Sequence, residues 1–261
     1  MLNYKLIAAA FFLLLLIAYW WWLFFKKKRP KSTPFPAPWR HILSEKVDFY
    51  SQLSTEEKLR FEENTLDFLD KISITGIDTD VDDTDKLLVA ASAVIPLFGF
   101  PGWHYHNLHE VLLYDAPFNH DYETEQGKDR NILGMVGSGS MNRMMILSKP
   151  DLHEGFDQQR SYHNVGIHEF VHLLDKVDGA TDGLPEALIQ QPFLVPWVKL
   201  MHREIAAIKA GRSTINVYGS TNEAEFFSVV SEYFFKQPER LKKSHPELFD
   251  LLERVFRQDL A

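Results

Sequence analysis

At 261 residues the chain is long enough for one large domain or two small ones, and 45% hydrophobic with 25% charged residues is the balance of a folded protein. It has no cysteine, which excludes disulfide frameworks and thiolate metal sites together, so a transition-metal site here must draw on histidine and carboxylate. Residues 1–31 hold six Lys/Arg and no acid, leaving 22 basic against 36 acidic residues in the rest, an acidic body that argues against nucleic acid as a partner.

Residues 6–25, "LIAAAFFLLLLIAYWWWLFF", are twenty uncharged and almost wholly apolar positions, enough at ~1.5 Å rise to cross a hydrocarbon core of about 30 Å. Tyr19 to Trp22 cluster near one end as an aromatic belt does, and Lys26 to Arg29 follow directly. Only Lys5 precedes the apolar run, and bulky residues stand where a signal peptidase needs small ones, so the segment is read as an uncleaved anchor. The lysines put the C-terminal side in the cytoplasm, the expectation being a single-pass protein of the bacterial inner membrane, in contact with the bilayer through residues 6–25. The chain then divides into an anchor with its basic flank (1–29), a proline-rich extended linker (30–38) and a folded domain (39–261).

In that domain Ser54 and Glu57 have capping-box spacing ahead of a helix with a wide apolar face. "DTDKLLVAASAVIPLFG" predicts a second helix, capped near Thr84 and ending around Pro96–Gly99. "EVLLYDAPF" and "RMMILSK" are short apolar runs bounded by turn residues, hence strands. Helix dominates from about residue 162, including 222–236 and 246–258. The expected class is α+β, a small sheet on a mainly helical body. Three features receive plain structural readings. His104, His106 and His109 form a surface or strand-edge group. "DTDVDDTD" (78–85) lacks the glycine and final glutamate of a calcium loop and is an acidic turn before a helix. "GSGS" (137–140) has no P-loop lysine and is a hairpin turn.

Within "HNVGIHEFVHLLDKVDG" (163–179) lies His168-Glu169-Phe170-Val171-His172. Helical positions four apart share a face, so His168 and His172 can offer two imidazoles to one ion while Glu169 reaches a metal-bound water. Apolar flanks at helical spacing make the helix half-buried, and Asp175, three residues past His172, is placed to receive an imidazole N–H. A catalytic zinc takes about three protein ligands. A further helix starting near Thr221, "TNEAEFFSVVSEYFF", carries Glu223, Glu225 and Glu232. Glu225 and Glu232 are seven apart on one face, and spacing alone does not choose between them.

"NVGIHEFVHLLDKVDGATDGLP" resembles the active-site segment of the Mlc titration factor A family of zinc metallopeptidases. "YGSTNEAEFFSVVSEYFF" resembles the second active-site segment shared by that family and the catalytic domain of anthrax lethal factor; at lower specificity the resemblance runs across roughly residues 36–258. It implies a gluzincin-like fold and one zinc per chain held by His168, His172 and Glu225. It also implies Glu169 as general base, Tyr218 as donor to the developing oxyanion, and a structural role for Glu232. The expected function is membrane-anchored hydrolysis of a peptide or protein substrate. The alternative is a membrane-tethered binding protein that sequesters a cytoplasmic transcriptional regulator, with zinc structural or vestigial, because the enterobacterial relative binds such a repressor.

Overall fold

A computed structural model describes residues 34–117, 134–136, 143–157 and 163–261. The apolar stretch 6–25, its basic flank and "GSGS" lie outside the described residues. Among those described, no helix is long and apolar enough to cross a membrane.

Helix α1 (Ala37–Lys46) opens on Pro36 and Pro38, whose missing amide protons cost nothing in a first turn, so helix begins inside the proline-rich stretch rather than after it. After the short α2 (Asp48–Gln52), α3 (Thr55–Lys71) starts on the expected capping box: Ser54 Oγ accepts from the Glu57 amide at 3.3 Å, and Glu57 accepts from the Ser54 amide at 3.0 Å. Buried Glu62 of α3 accepts from Arg40 Nε and Nη2 at 2.7 Å each and from the Tyr50 hydroxyl at 2.8 Å, which satisfies a carboxylate that burial would otherwise penalise.

The chain then enters β1 (Ser73–Ile77), a strand too short and too polar to stand out in the sequence. Helix α4 (Asp83–Leu97) is buried on nearly every side. Its N-cap is Asp82 rather than Thr84: Asp82 and Asp85 bond reciprocally to each other's amides at 2.9 Å, so the acidic turn serves as a capping box. Strands β2 (Glu110–Tyr114), β3 (Gly134–Val136) and β4 (Met144–Ser148) complete a sheet of order β1-β2-β4-β3. The pairs β1–β2 and β2–β4 are parallel; β3 runs antiparallel to β4 and forms one edge. The two strands expected from sequence are β2 and β4; β3, three residues long, is as inconspicuous as β1.

Helix α5 (Lys149–Phe156) leads towards α6 (Val165–Asp175), the helix of the two histidines. A short 3₁₀ turn (Lys176–Asp178) ends it, then come α7 (Gln191–Lys209), a second 3₁₀ turn (Val217–Ser220), α8 (Glu223–Lys236), α9 (Pro238–Ser244) and α10 (Pro246–Phe256). The protein is thus mainly helical with one small sheet. Helix α6 lies between α4 and α8. It approaches α4 closely because residue 166 is glycine: a Cβ there would sit 2.1 Å from Ser92 Oγ. The apolar face of α8 packs Phe226, Phe227 and Phe234 against Trp197, Phe249 and Phe256, all fully buried. At about 1.5–3 kcal/mol for each side chain removed from water, this aromatic wall fixes α8, and with it Glu225, against the rest of the core.

Candidate metal centre

The apolar periodicity of α6 buries ten of its eleven residues, which brings His168 and His172 inward with it. Asn164 starts the helix by accepting from the Ile167 amide at 2.9 Å. Across from it, Asn222 accepts from the Glu225 amide at 2.8 Å and starts α8, putting Glu225 in the first turn beside the histidines. His168 Nε2 lies 3.1 Å from His172 Nε2 and 3.0 Å from Glu225 Oε2; His172 Nε2 lies 3.5 Å from the same oxygen. Among the described residues this is the one group of three or more His, Asp or Glu side chains close enough to hold a metal ion.

A tetrahedral zinc with ligands at about 2.0–2.1 Å separates neighbouring ligand atoms by about 3.3 Å. The observed triangle, with sides of 3.0, 3.1 and 3.5 Å, matches that spacing, and two imidazoles with one carboxylate are a donor set zinc accepts. The electrostatics agree. Burial works against a charge on His168, yet Glu232 and Glu225 together raise its pKa to about 10. Burial likewise pushes Glu225 upward, but hydrogen bonds from His168 and His172 hold it at about 2. These are two views of one interaction: the carboxylates have gathered a positive charge that a cation can supply instead.

Glu169 is buried beside the cluster, and burial raises its carboxyl above the usual range, although the two histidines oppose that shift. Strand β3 runs directly against it: a Cβ on Gly134 would come within 2.6 Å of Glu169 Cγ and 2.9 Å of Oε1, so only glycine lets the backbone pass. Tyr218 comes from the 3₁₀ turn before α8, its ring centroid 6.0 Å from that of His168. Burial first, then the Glu225 and Glu169 charges, push its phenol up to about 12, so it keeps its proton at neutral pH. A cleft of about 480 Å³ runs past Gly134, Met135, Glu169, Lys176, Tyr218 and Glu223.

Asp175 makes a different contact from the one spacing predicts. Its Oδ2 accepts from the Gly183 amide at 2.9 Å, tying the end of α6 to the loop whose Gly183 carbonyl accepts from Trp197 Nε1 at 2.7 Å. Asp175 Oδ1 and His172 Nδ1 are both buried without a hydrogen-bond partner. His168 instead has the carboxylate contact: its Nδ1 donates to Glu232 Oε1 at 2.7 Å, and Glu232 Oε2 accepts from the Asn164 amide at 2.7 Å. The clue to Glu232 in the sequence was its position, an acid amid the apolar face of α8. His104 pairs with Asp67 at 3.0 Å and His109 Nε2 lies 2.6 Å from Arg143 Nη1, a sheet-end group away from the metal cluster, in line with the surface reading.

Two helix-borne histidines, a glutamate from a neighbouring helix and a buried carboxylate between them and an edge strand define a metallopeptidase-like class of protein. Residues 21–257 match the family described as glucose-regulated metallo-peptidase M90, and the chain belongs to that family. It is 28% identical over 239 residues to the Mlc titration factor A of Escherichia fergusonii, covering 85% of this chain and 86% of that one. The corresponding protein of Cronobacter sakazakii is 27% identical over 243 residues, with 86% and 87% covered. An uncharacterised protein of Synechocystis sp. is 28% identical over 233 residues, with 85% and 84% covered.

Proposed function

We propose that the protein is a zinc-dependent peptidase. The observation that carries this reading is the convergence of His168 Nε2, His172 Nε2 and Glu225 Oε2 at zinc-ligand spacing, with Glu169 buried alongside. Those three side chains would hold the ion, which when bound lowers the pKa of water towards about 7 and polarises a carbonyl. Glu169 takes the proton of the attacking water and returns it to the leaving amine, a task suited to a carboxyl already raised by burial. The Tyr218 hydroxyl donates to the oxygen on which negative charge develops. Edge strand β3, passing beside Glu169, offers backbone groups along which an extended peptide can align as an added strand.

Digestion of a peptide library with and without chelator, products read by mass spectrometry, tests the reading. Chelator-sensitive cleavage that vanishes in Glu169→Gln is expected. Full-strength cleavage by Glu169→Gln would sink it.

The name Mlc titration factor A, borne by the relatives, supports a second reading in which this chain binds a transcriptional regulator. Glu169→Gln separates the two, since binding alone survives that substitution while hydrolysis does not. Either activity, on our reading, is carried out at the inner membrane, to which residues 6–25 anchor the chain.

A further inference from the structure

On the far side of Glu232 from the cluster, His163 and Asn216 form a polar path that ends at Tyr218. The backbone amide of Tyr218 can only donate, and it donates to Asn216 Oδ1 at 2.9 Å. That makes the other Asn216 atom its amide nitrogen, a donor, which lies 2.7 Å from His163 Nε2. His163 Nε2 must then accept, so the neutral ring carries its proton on Nδ1, 3.5 Å from Glu232 Oε2. From the other side His168 Nδ1 donates to Glu232 Oε1, with Nε2 directed at the cluster. Donor directions therefore run without conflict from Asn216 to His163 to Glu232, and from His168 to the same carboxylate.

The path crosses three separate stretches of chain: the residue before the cap of α6, the loop after α7, and the second turn of α8 beyond Glu225. The Tyr218 turn packs on α7 and α8, and its phenol lies against the His168 ring and bonds Glu225; the path through Asn216 and His163 is a further tie, reaching the turn from behind Glu232. Tyr218 and Val217 are exposed, and the Ser220 hydroxyl bonds only within the turn, to the Val217 carbonyl. Buried Gly219 packs on Val229.

We propose that His163 is a positioning residue: through Asn216 and Glu232 it locks the Tyr218 turn to the metal-ligand histidine. This rests on the peptidase reading for its catalytic consequence but not for the tie itself. His163 touches neither metal nor substrate, so its removal acts through Tyr218. Because about 1 Å of misplacement at a reacting centre can cost up to about a hundredfold, loss of this half-exposed link is expected to lower kcat about tenfold.

The test uses the full chain with His163→Ala, His163→Gln, Tyr218→Phe and the double variant His163→Ala/Tyr218→Phe. In His163→Ala, kcat on a cleaved peptide should fall about tenfold with zinc affinity within about threefold of the parent. His163→Gln, which keeps a donor and an acceptor, should recover most of the loss. In the Tyr218→Phe background the His163→Ala loss should disappear, because the hydroxyl it positions is gone. Independently of activity, amide exchange at residues 216–221 of the zinc-free protein should accelerate in His163→Ala and not in His163→Gln. Additive losses in the double variant, or unchanged exchange at 216–221, overturns the proposal. A parent protein that cleaves no peptide overturns the peptidase reading instead, and the exchange measurement then decides the tie alone.

Discussion

His168, His172 and Glu225 each have a position explained by a local rule: two histidines four apart on a buried helix, and a glutamate in the first turn of a helix capped by Asn222. Their meeting at zinc-ligand spacing is what our reading attributes to an ion. Replacing Glu225 with alanine should therefore reduce bound zinc from about one per chain to near none, read by elemental analysis of the dialysed protein. Tyr218→Phe should leave zinc content unchanged and lower kcat by about 10²–10³, the usual cost of removing one oxyanion donor. Spacing suggests Asp175 as an imidazole partner and the resemblance implies a structural role for Glu232, yet it is Glu232 that receives the His168 N–H. Three residues past a ligand is within reach of an imidazole, but at the end of α6 Asp175 bonds the Gly183 amide. Glu232 comes from another helix altogether, and partners joined across helices leave no periodic trace in sequence.

At the scale of elements, the close packing of α6 on α4 depends on Gly166. Gly166→Ala puts a methyl group 2.1 Å from Ser92 Oγ and should destabilise the fold by about 1–3 kcal/mol in urea denaturation, with Ser92→Gly recovering part of the loss. The sequence revealed the long elements: the boxed start of α3, the apolar α4, strands β2 and β4, and helices α6, α8 and α10. It pointed to His168 and His172 as candidate ligands and left the third between Glu225 and Glu232, where family resemblance favoured Glu225, the residue that lies with the two histidines. Glu225 is in the turn facing His172; Glu232, two turns on, faces the back of His168. Strands β1 and β3 were not legible. At five and three residues they carry too few apolar positions, and β3 owes its pairing to β4 rather than to its own pattern.

For the molecule as a whole, charge pairing at the cluster sets a pH dependence. The raised His168 contributes stability that is fully present below its ordinary value of 6.5 and is lost as pH rises through about 10. The lowered Glu225 contributes above its ordinary 4.5 and is lost as pH falls through about 2. Zinc-free protein should thus be best served by this cluster between about pH 4.5 and 6.5. Its melting temperature should fall on the alkaline side more than that of the zinc-loaded protein, in which His168 is already neutral. Calorimetry with and without zinc checks this; parallel alkaline profiles would refute it. If residues 6–25 anchor the chain, the full protein should stay with membranes through a carbonate wash that strips peripheral proteins, and a chain beginning at Pro36 should be released.

Helix α8 carries Glu225 towards the two histidines and Glu232 towards the back of the His168 ring, two turns apart on one rigid rod. That makes the interval between them a fixed count. Each residue inserted or deleted there swings one carboxylate about 100° around the axis relative to the other, since a turn takes about 3.6 residues. Point substitutions among the intervening phenylalanines, valines and serines alter packing by degrees, whereas a single-codon insertion or deletion swings Glu225 or Glu232 away from the histidines outright. Length, more than composition, is what this segment cannot vary.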